Sequence, residues 1–161
     1  MNPTPLLGKT ALVTGAGHRL GRVLALALAE AGAEETARGV EALDRRASVL
    51  QADLAEPAAV EALLAAAHSA APRLDLLVNS AAAYERAPLA ELTVERWDAM
   101  LDLNLRAPFL LSRGAAPWLR RDGGGVIINI VDLAGFMPWA HYLHYAVSMA
   151  GLIAMTRCLA L

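Results

Sequence analysis

With 161 residues, 57% of them hydrophobic, the chain is long enough to bury one sizeable core and reads as a single domain over 1–161. A net charge of −2 and a sequence pI near 6.1 leave no basic surface for nucleic acid or an anionic membrane, so a small molecule is the expected partner. The lone cysteine, Cys158, excludes an internal disulfide framework and reads as a small core residue in a reducing compartment; no apolar run reaches the roughly 18 residues of a spanning helix, and the expectation is a soluble, cytoplasmic protein.

In chain order, the first apolar run covers 10–13 and is short and continuous, as a strand buried on both faces would be. It leads into Thr14-Gly15-Ala16-Gly17-His18-Arg19-Leu20-Gly21 and an alanine-rich helical pattern over 20–31. A second helical pattern, 34–46, follows almost directly across Ala31-Gly32-Ala33. A strand pattern at 48–52 comes next, then a helix over 58–71, a strand at 74–78, helical periodicity over 94–121 with a break near Pro108, a strand at 126–131 and a helix over 142–161. Strands alternating with helices, without hairpin signals, predict an α/β fold: a doubly wound parallel sheet, Rossmann-like, with ligands bound beyond the carboxyl ends of the strands.

One interval is too short for that architecture. Between Gly21 and Asp53 an open dinucleotide fold needs helix, strand, helix and strand, and the second strand is missing. Its absence would leave a hole of roughly 10 Å between strands that each sit about 4.8 Å from a partner. Residues are therefore expected to be absent between Ala33 and Glu34, and a C-terminal portion beyond Leu161, where apolar register continues at Leu152, Leu159 and Leu161.

The glycine turn carries the first functional signal. Glycines at 15 and 21 let the backbone turn sharply off a strand, and a helix beginning near Leu20 aims unpaired N–H groups and its positive dipole end at a phosphate. The spacing is not the common GxGxxG, since Arg19 stands where a middle glycine is frequent. A bare strand-to-helix turn without ligand is the competing explanation. Asp53 and Asn79 stand at predicted strand ends and so read as ligand contacts, although a helix N-cap suits Asp53 and a turn suits Asn79. Asn104 has poor propensity for the helical pattern that contains it. His18, His68, His141 and His144 do not form a metal set, because His141 and His144 have no carboxylate or thiolate nearby in sequence. Trp97, Trp118 and Trp139 read as packing residues, with Trp139 also placed to wall a pocket.

The glycine turn, Gln51-Ala52-Asp53-Leu54, Val78-Asn79-Ser80-Ala81 and Tyr145 together resemble the short-chain dehydrogenase/reductase family over nearly the whole chain. That resemblance implies an NAD(P)-dependent oxidoreductase. Gly15, His18, Arg19, Leu20 and Gly21 would cradle the cofactor, Asp53 and Leu54 would meet its adenine, Asn79 and Ala81 would border its adenosine ribose, and Asn104 would support a proton-relay water. Tyr145 would donate the proton, a role that needs its ordinary pKa of about 10 drawn toward neutrality.

Two departures follow. Asp132 replaces the family's serine, and Met149 replaces the lysine expected four residues after Tyr145, removing a cation and a donor. Arg19 together with Asp132 is most like pteridine reductases, with Tyr84 and Tyr142 matching substrate-facing aromatics there, while Ala82 stands where that subgroup tends to have serine. The implied activity is NADPH-dependent reduction of a pterin-like C=N bond, with Tyr145 and Asp132 supplying the proton and Asp132 also facing the substrate, with NADH possible, by a homodimer or homotetramer. The alternatives are a general carbonyl reductase of the 3-oxoacyl type, and a catalytically silent dinucleotide-binding protein on account of Met149.

Overall fold

The structure, a computed structural model, describes residues 9–16, 46–121 and 123–161. Three parallel strands, β1 (Ala11–Val13), β2 (Leu76–Asn79) and β3 (Val126–Asn129), form one sheet in that order. Leu12 lies beside Leu77, and Leu77 beside Ile127. Because side chains alternate along a strand, these three point to one face. There they meet Val60, Leu63 and Ala67 of α1 (Pro57–Ala70) and Leu111, Ala115 and Trp118 of α3 (Ala107–Arg120). The apolar spacing 60, 63, 67 is one stripe of a helix, and Pro57 starts α1 at a position where its missing N–H costs nothing. On the other face of β3, Val126 and Ile128 are exposed.

The expected strand at 48–52 does not form. Residues 46–53 run without ladder hydrogen bonds, and Val49 and Leu50 are exposed. Apolar composition favours a strand only when another strand lies alongside to take its N–H and C=O groups, and among the described residues none does. The helical patterns at 20–31 and 34–46 lie outside the described residues, apart from Arg46 itself.

The predicted break in 94–121 is a wide turn. α2 (Val94–Leu101), started by Thr93, whose hydroxyl accepts from the Arg96 N–H, passes into a π-helical segment (Asp102–Arg106) before α3. Pro108 has no N–H to give the Asn104 carbonyl four residues back, and the turn relaxes to a wider spacing in which the Ala107 N–H reaches the Asp102 carbonyl. The last helix, α4 (Leu143–Leu159), follows a short 3-10 turn at Leu133–Gly135. A second apolar cluster, Met100, Ala134, Tyr145, Ala146 and Met149, joins α2, that turn and α4. Cys158, expected in the core, is exposed, because it falls on the outer side of the last turn of α4.

The amino ends of β1 and β2 are tied by charge. Asp75, whose side chain is nearly buried, accepts from Lys9 Nζ at 2.9 Å, Arg73 Nε at 2.8 Å and the Thr10 N–H at 3.0 Å. The Arg73 guanidinium holds its carboxyl well below the usual carboxylate range, against the opposing effect of burial.

Candidate active site

At the carboxyl ends of the strands the chain turns back on itself. The Thr14 N–H donates to the Val78 carbonyl at 3.0 Å, and the Thr14 hydroxyl accepts from the Ser80 and Ala81 N–H groups, each at 3.1 Å. Gly15 follows with φ +66°, and a Cβ there would stand 2.8 Å from the Ala81 Cα. Backbone meets backbone at this point, so only glycine fits. Gly15 and Ala81 are thus brought together; His18, Arg19, Leu20 and Gly21 lie outside the described residues. Asp53 is exposed and its carboxylate accepts from the Ala55 N–H at 3.0 Å, a turn leading toward α1, while Leu54 packs on the core. Asn79 is buried and turned inward: its amide donates to Asn129 at 2.8 Å and Ser112 at 3.4 Å, and its Oδ1 has no partner.

Asn104 sits in the wide turn and faces the loop after β2. Its Oδ1 accepts from the Ala83 N–H at 2.8 Å, and its Nδ2 lies 3.0 Å from the Ala83 carbonyl and 3.1 Å from the Ser148 hydroxyl. Both backbone groups of Ala83 are therefore held by one amide, which sets the position of the next residue, Tyr84.

Four aromatic rings gather there. Tyr84 stacks on Tyr142 with centroids 5.0 Å apart and meets Tyr145 edge-on at 4.9 Å, while Trp139 stands edge-on to Tyr142 at 6.0 Å. The spacings are those of favourable offset and T-shaped pairs. Tyr145 is almost buried, and the Asp132 carboxylate stands close enough to act on its phenol. Burial first, then the Asp132 carboxylate, pushes the phenol up to about 12. Asp132 also accepts from the Ala134 N–H at 2.8 Å, which fixes it at the head of the 3-10 turn. Tyr142 foremost, then burial, raises the Tyr84 phenol above its ordinary value.

The expectation of a tyrosine drawn toward neutrality is overturned by this environment. One turn beyond Tyr145, Met149 is buried among Met100, Ala134 and Ala146, and a Cβ on Gly135 would come within 2.9 Å of its carbonyl carbon. Among the described residues no cation is placed to offset the Asp132 charge, so the protonated phenol is favoured.

A second correction concerns His144. It is fully buried and its Nε2 lies 3.2 Å from Glu85 Oε2, a carboxylate 59 positions away that inspection of the neighbouring sequence could not find. Thr14, Glu85, Ser112, Asn129 and Ser148 were also missed; of these only Ser148, three residues after Tyr145, carried a helical-spacing signal. Among the described residues no cluster of metal ligands occurs, and no helix is long and apolar enough to cross a membrane.

A family model described as short chain dehydrogenase matches residues 9–161. The chain is 35% identical to the 2-dehydro-3-deoxy-D-gluconate 5-dehydrogenase of Escherichia coli over 96% of its own length and 66% of that protein. It is 33% identical to the 3-oxoacyl-[acyl-carrier-protein] reductase of Synechocystis, over 98% and 69%. The crystal structure of a short chain dehydrogenase from Burkholderia cenocepacia in complex with NADP superposes with a TM-score of 0.88 at 37% identity, over 96% of this chain and 68% of that one. The chain thus spans about two thirds of the length of its curated relatives. Against the 2-dehydro-3-deoxy-D-gluconate 5-dehydrogenase of Dickeya dadantii the aligned stretch is 171 residues, longer than the chain's own 161, so at least ten positions of that relative have no counterpart here.

Proposed function

The chain belongs to the short chain dehydrogenase family, and on that footing we propose that it is the cofactor-binding and proton-donating part of an NADPH-dependent reductase acting on a flat, pterin-like C=N bond. The observation that carries the proposal is Tyr145, nearly buried beside the Asp132 carboxylate and edge-on to Tyr84, which in turn stacks on Tyr142. The backbone contact at Gly15 and Ala81, which a Cβ would fill, suits the close approach a dinucleotide needs. Gly15, His18, Arg19, Leu20, Gly21, Asp53, Leu54, Asn79 and Ala81 are the residues assigned to hold it. NADPH, when bound, supplies hydride.

The chain's own work is to orient the substrate and move a proton. Tyr84 and Tyr142 offer aromatic surface to a planar ring, and Tyr145 gives its hydroxyl proton to the reduced nitrogen. The phenolate left behind regains its proton from solvent. The Asp132 carboxylate raises the Tyr145 phenol and so keeps the donor in its protonated form. Asn104 positions this surface through Ala83.

A second reading, reduction of a 3-oxoacyl or similar carbonyl, is favoured by the name of the Synechocystis relative. Following NADPH oxidation with dihydrobiopterin and with an acetoacetyl thioester separates the two; turnover of the thioester alone overturns the pterin assignment. Met149→Lys, which returns a cation one turn from Tyr145, should raise turnover about tenfold, the effect of roughly 1.4 kcal/mol. If NADPH binds and neither form turns over either substrate, the chain is a redox-silent dinucleotide-binding module. Fluorescence titration with both cofactors tests the NADPH preference, and equal affinity for NADH removes it. The proposal includes a homodimer or homotetramer, supported by the exposed Phe109 on α3 and Leu143 and Val147 on α4; a monomeric elution profile rejects it.

A further inference from the structure

His144 lies in the first turn of α4, fully buried, with Nε2 on Glu85 and Nδ1 without a partner. Glu85 is shared: its Oε1 accepts from Arg96 Nε at 3.1 Å and Nη2 at 2.8 Å, while its Oε2 faces His144. Arg96 also donates to the Glu91 carbonyl at 2.9 Å. One carboxylate therefore ties the loop after β2 to both α2 and α4. Arg96 and then His144 hold the Glu85 carboxyl below its ordinary value.

These ties bracket Tyr84. On one side Asn104 grips Ala83; on the other Glu85 is held by His144, and the Ala87 N–H donates to the His141 carbonyl at 2.7 Å. Tyr84 itself is half exposed. An exposed ring retains rotamer freedom unless its backbone is fixed, and the stacked and edge-on geometry around it depends on that fixing. Glu85 and His144 are the chain neighbours of Tyr84 and Tyr145, so the contact between the first pair sets the separation of the second.

We infer that the Glu85–His144 pair is a positioning device that fixes Tyr84 beside Tyr145 and so sets the gap in which a planar substrate meets the Tyr145 hydroxyl. This rests on the reductase assignment above. Neither residue touches the reacting atoms. Their work is to preserve a spacing, and loss of the pair should weaken substrate binding more than the proton transfer itself.

The test uses Glu85→Ala, at a partly exposed position, and Glu85→Gln, which keeps an acceptor opposite His144. With dihydrobiopterin and NADPH, Glu85→Ala should raise KM about tenfold with kcat within about twofold of the parent, and Glu85→Gln should recover most of that loss. NADPH affinity should not change. Phenolate absorbance during an alkaline titration gives a readout independent of turnover: in Glu85→Ala one tyrosine, Tyr84, should return to the ordinary phenol range, and in Glu85→Gln it should not. Equal falls in kcat and kcat/KM, a failure of glutamine to rescue, or an unmoved phenol titration each overturn the inference. Should the parent protein turn over no substrate, the reductase assignment fails and the phenol titration alone decides the positioning role.

Discussion

At the amino ends of the strands, Asp75 is met by Lys9, Arg73 and the Thr10 N–H, so that charge is matched donor by donor. At the carboxyl ends the same sheet leaves the Asn79 Oδ1 without a partner, holds Tyr145 beside a carboxylate rather than a cation, and exposes Tyr84 and Trp139. One end is satisfied and the other is not. Buried or crowded polar groups without full pairing cost free energy, and a fold keeps them where ligands or protons have to be handled. The contrast assigns stability to one rim of the sheet and chemistry to the other.

The strongest way to break that contrast is Tyr145→Phe. Removing the hydroxyl should lower turnover about a thousandfold while NADPH affinity, measured by fluorescence, stays unchanged. A parallel loss of fold, seen as a comparable drop in Tm, would place Tyr145 on the structural side. Next in size, Asp75→Ala should lower unfolding stability by about 2 kcal/mol in urea titrations, because the Thr10 N–H and two cations lose their acceptor. KM should not move; a shifted KM would join the two rims.

The smallest effects are the pH limbs. The Asp75 carboxyl is depressed in the folded protein, so its stabilising contribution is complete above its unfolded value of about 3.9 and fades as pH falls below it. Tyr145 is raised to about 12, so its contribution is complete below the unfolded value of about 10 and is lost as pH climbs through 10 to 12. Asp75→Ala should weaken the acid limb and leave the alkaline one, and Tyr145→Phe the reverse, both read as Tm against pH.

What the sequence disclosed depended on how local each signal was. The strands at β1, β2 and β3 and the stripe of α1 rest on periodicity within a few residues, and all were legible. Tyr145 and Asp132 were singled out from their sequence contexts, and the structure brings them into contact. The strand pattern at 48–52 was misleading, since a ladder needs a neighbour that composition does not reveal. Glu85 and His144 were invisible as a pair because 59 residues separate them. Met149 stood out as a lost cation, but that Tyr145 is itself buried and faces the Asp132 carboxylate, the causes that keep its phenol protonated, shows only in the structure.

The π-helical segment at Asp102–Arg106 has a geometric result of its own. Each residue of an α-helix advances the side-chain direction by about 100°, so a turn containing one residue too many re-phases everything downstream. That is how one nearly continuous rod aims Met100 at the tyrosine-bearing helix and then Leu111 and Ala115 at the sheet. Excising a single residue from that segment would rotate the second half out of its own cluster, leaving the first half with nothing to hold it in phase.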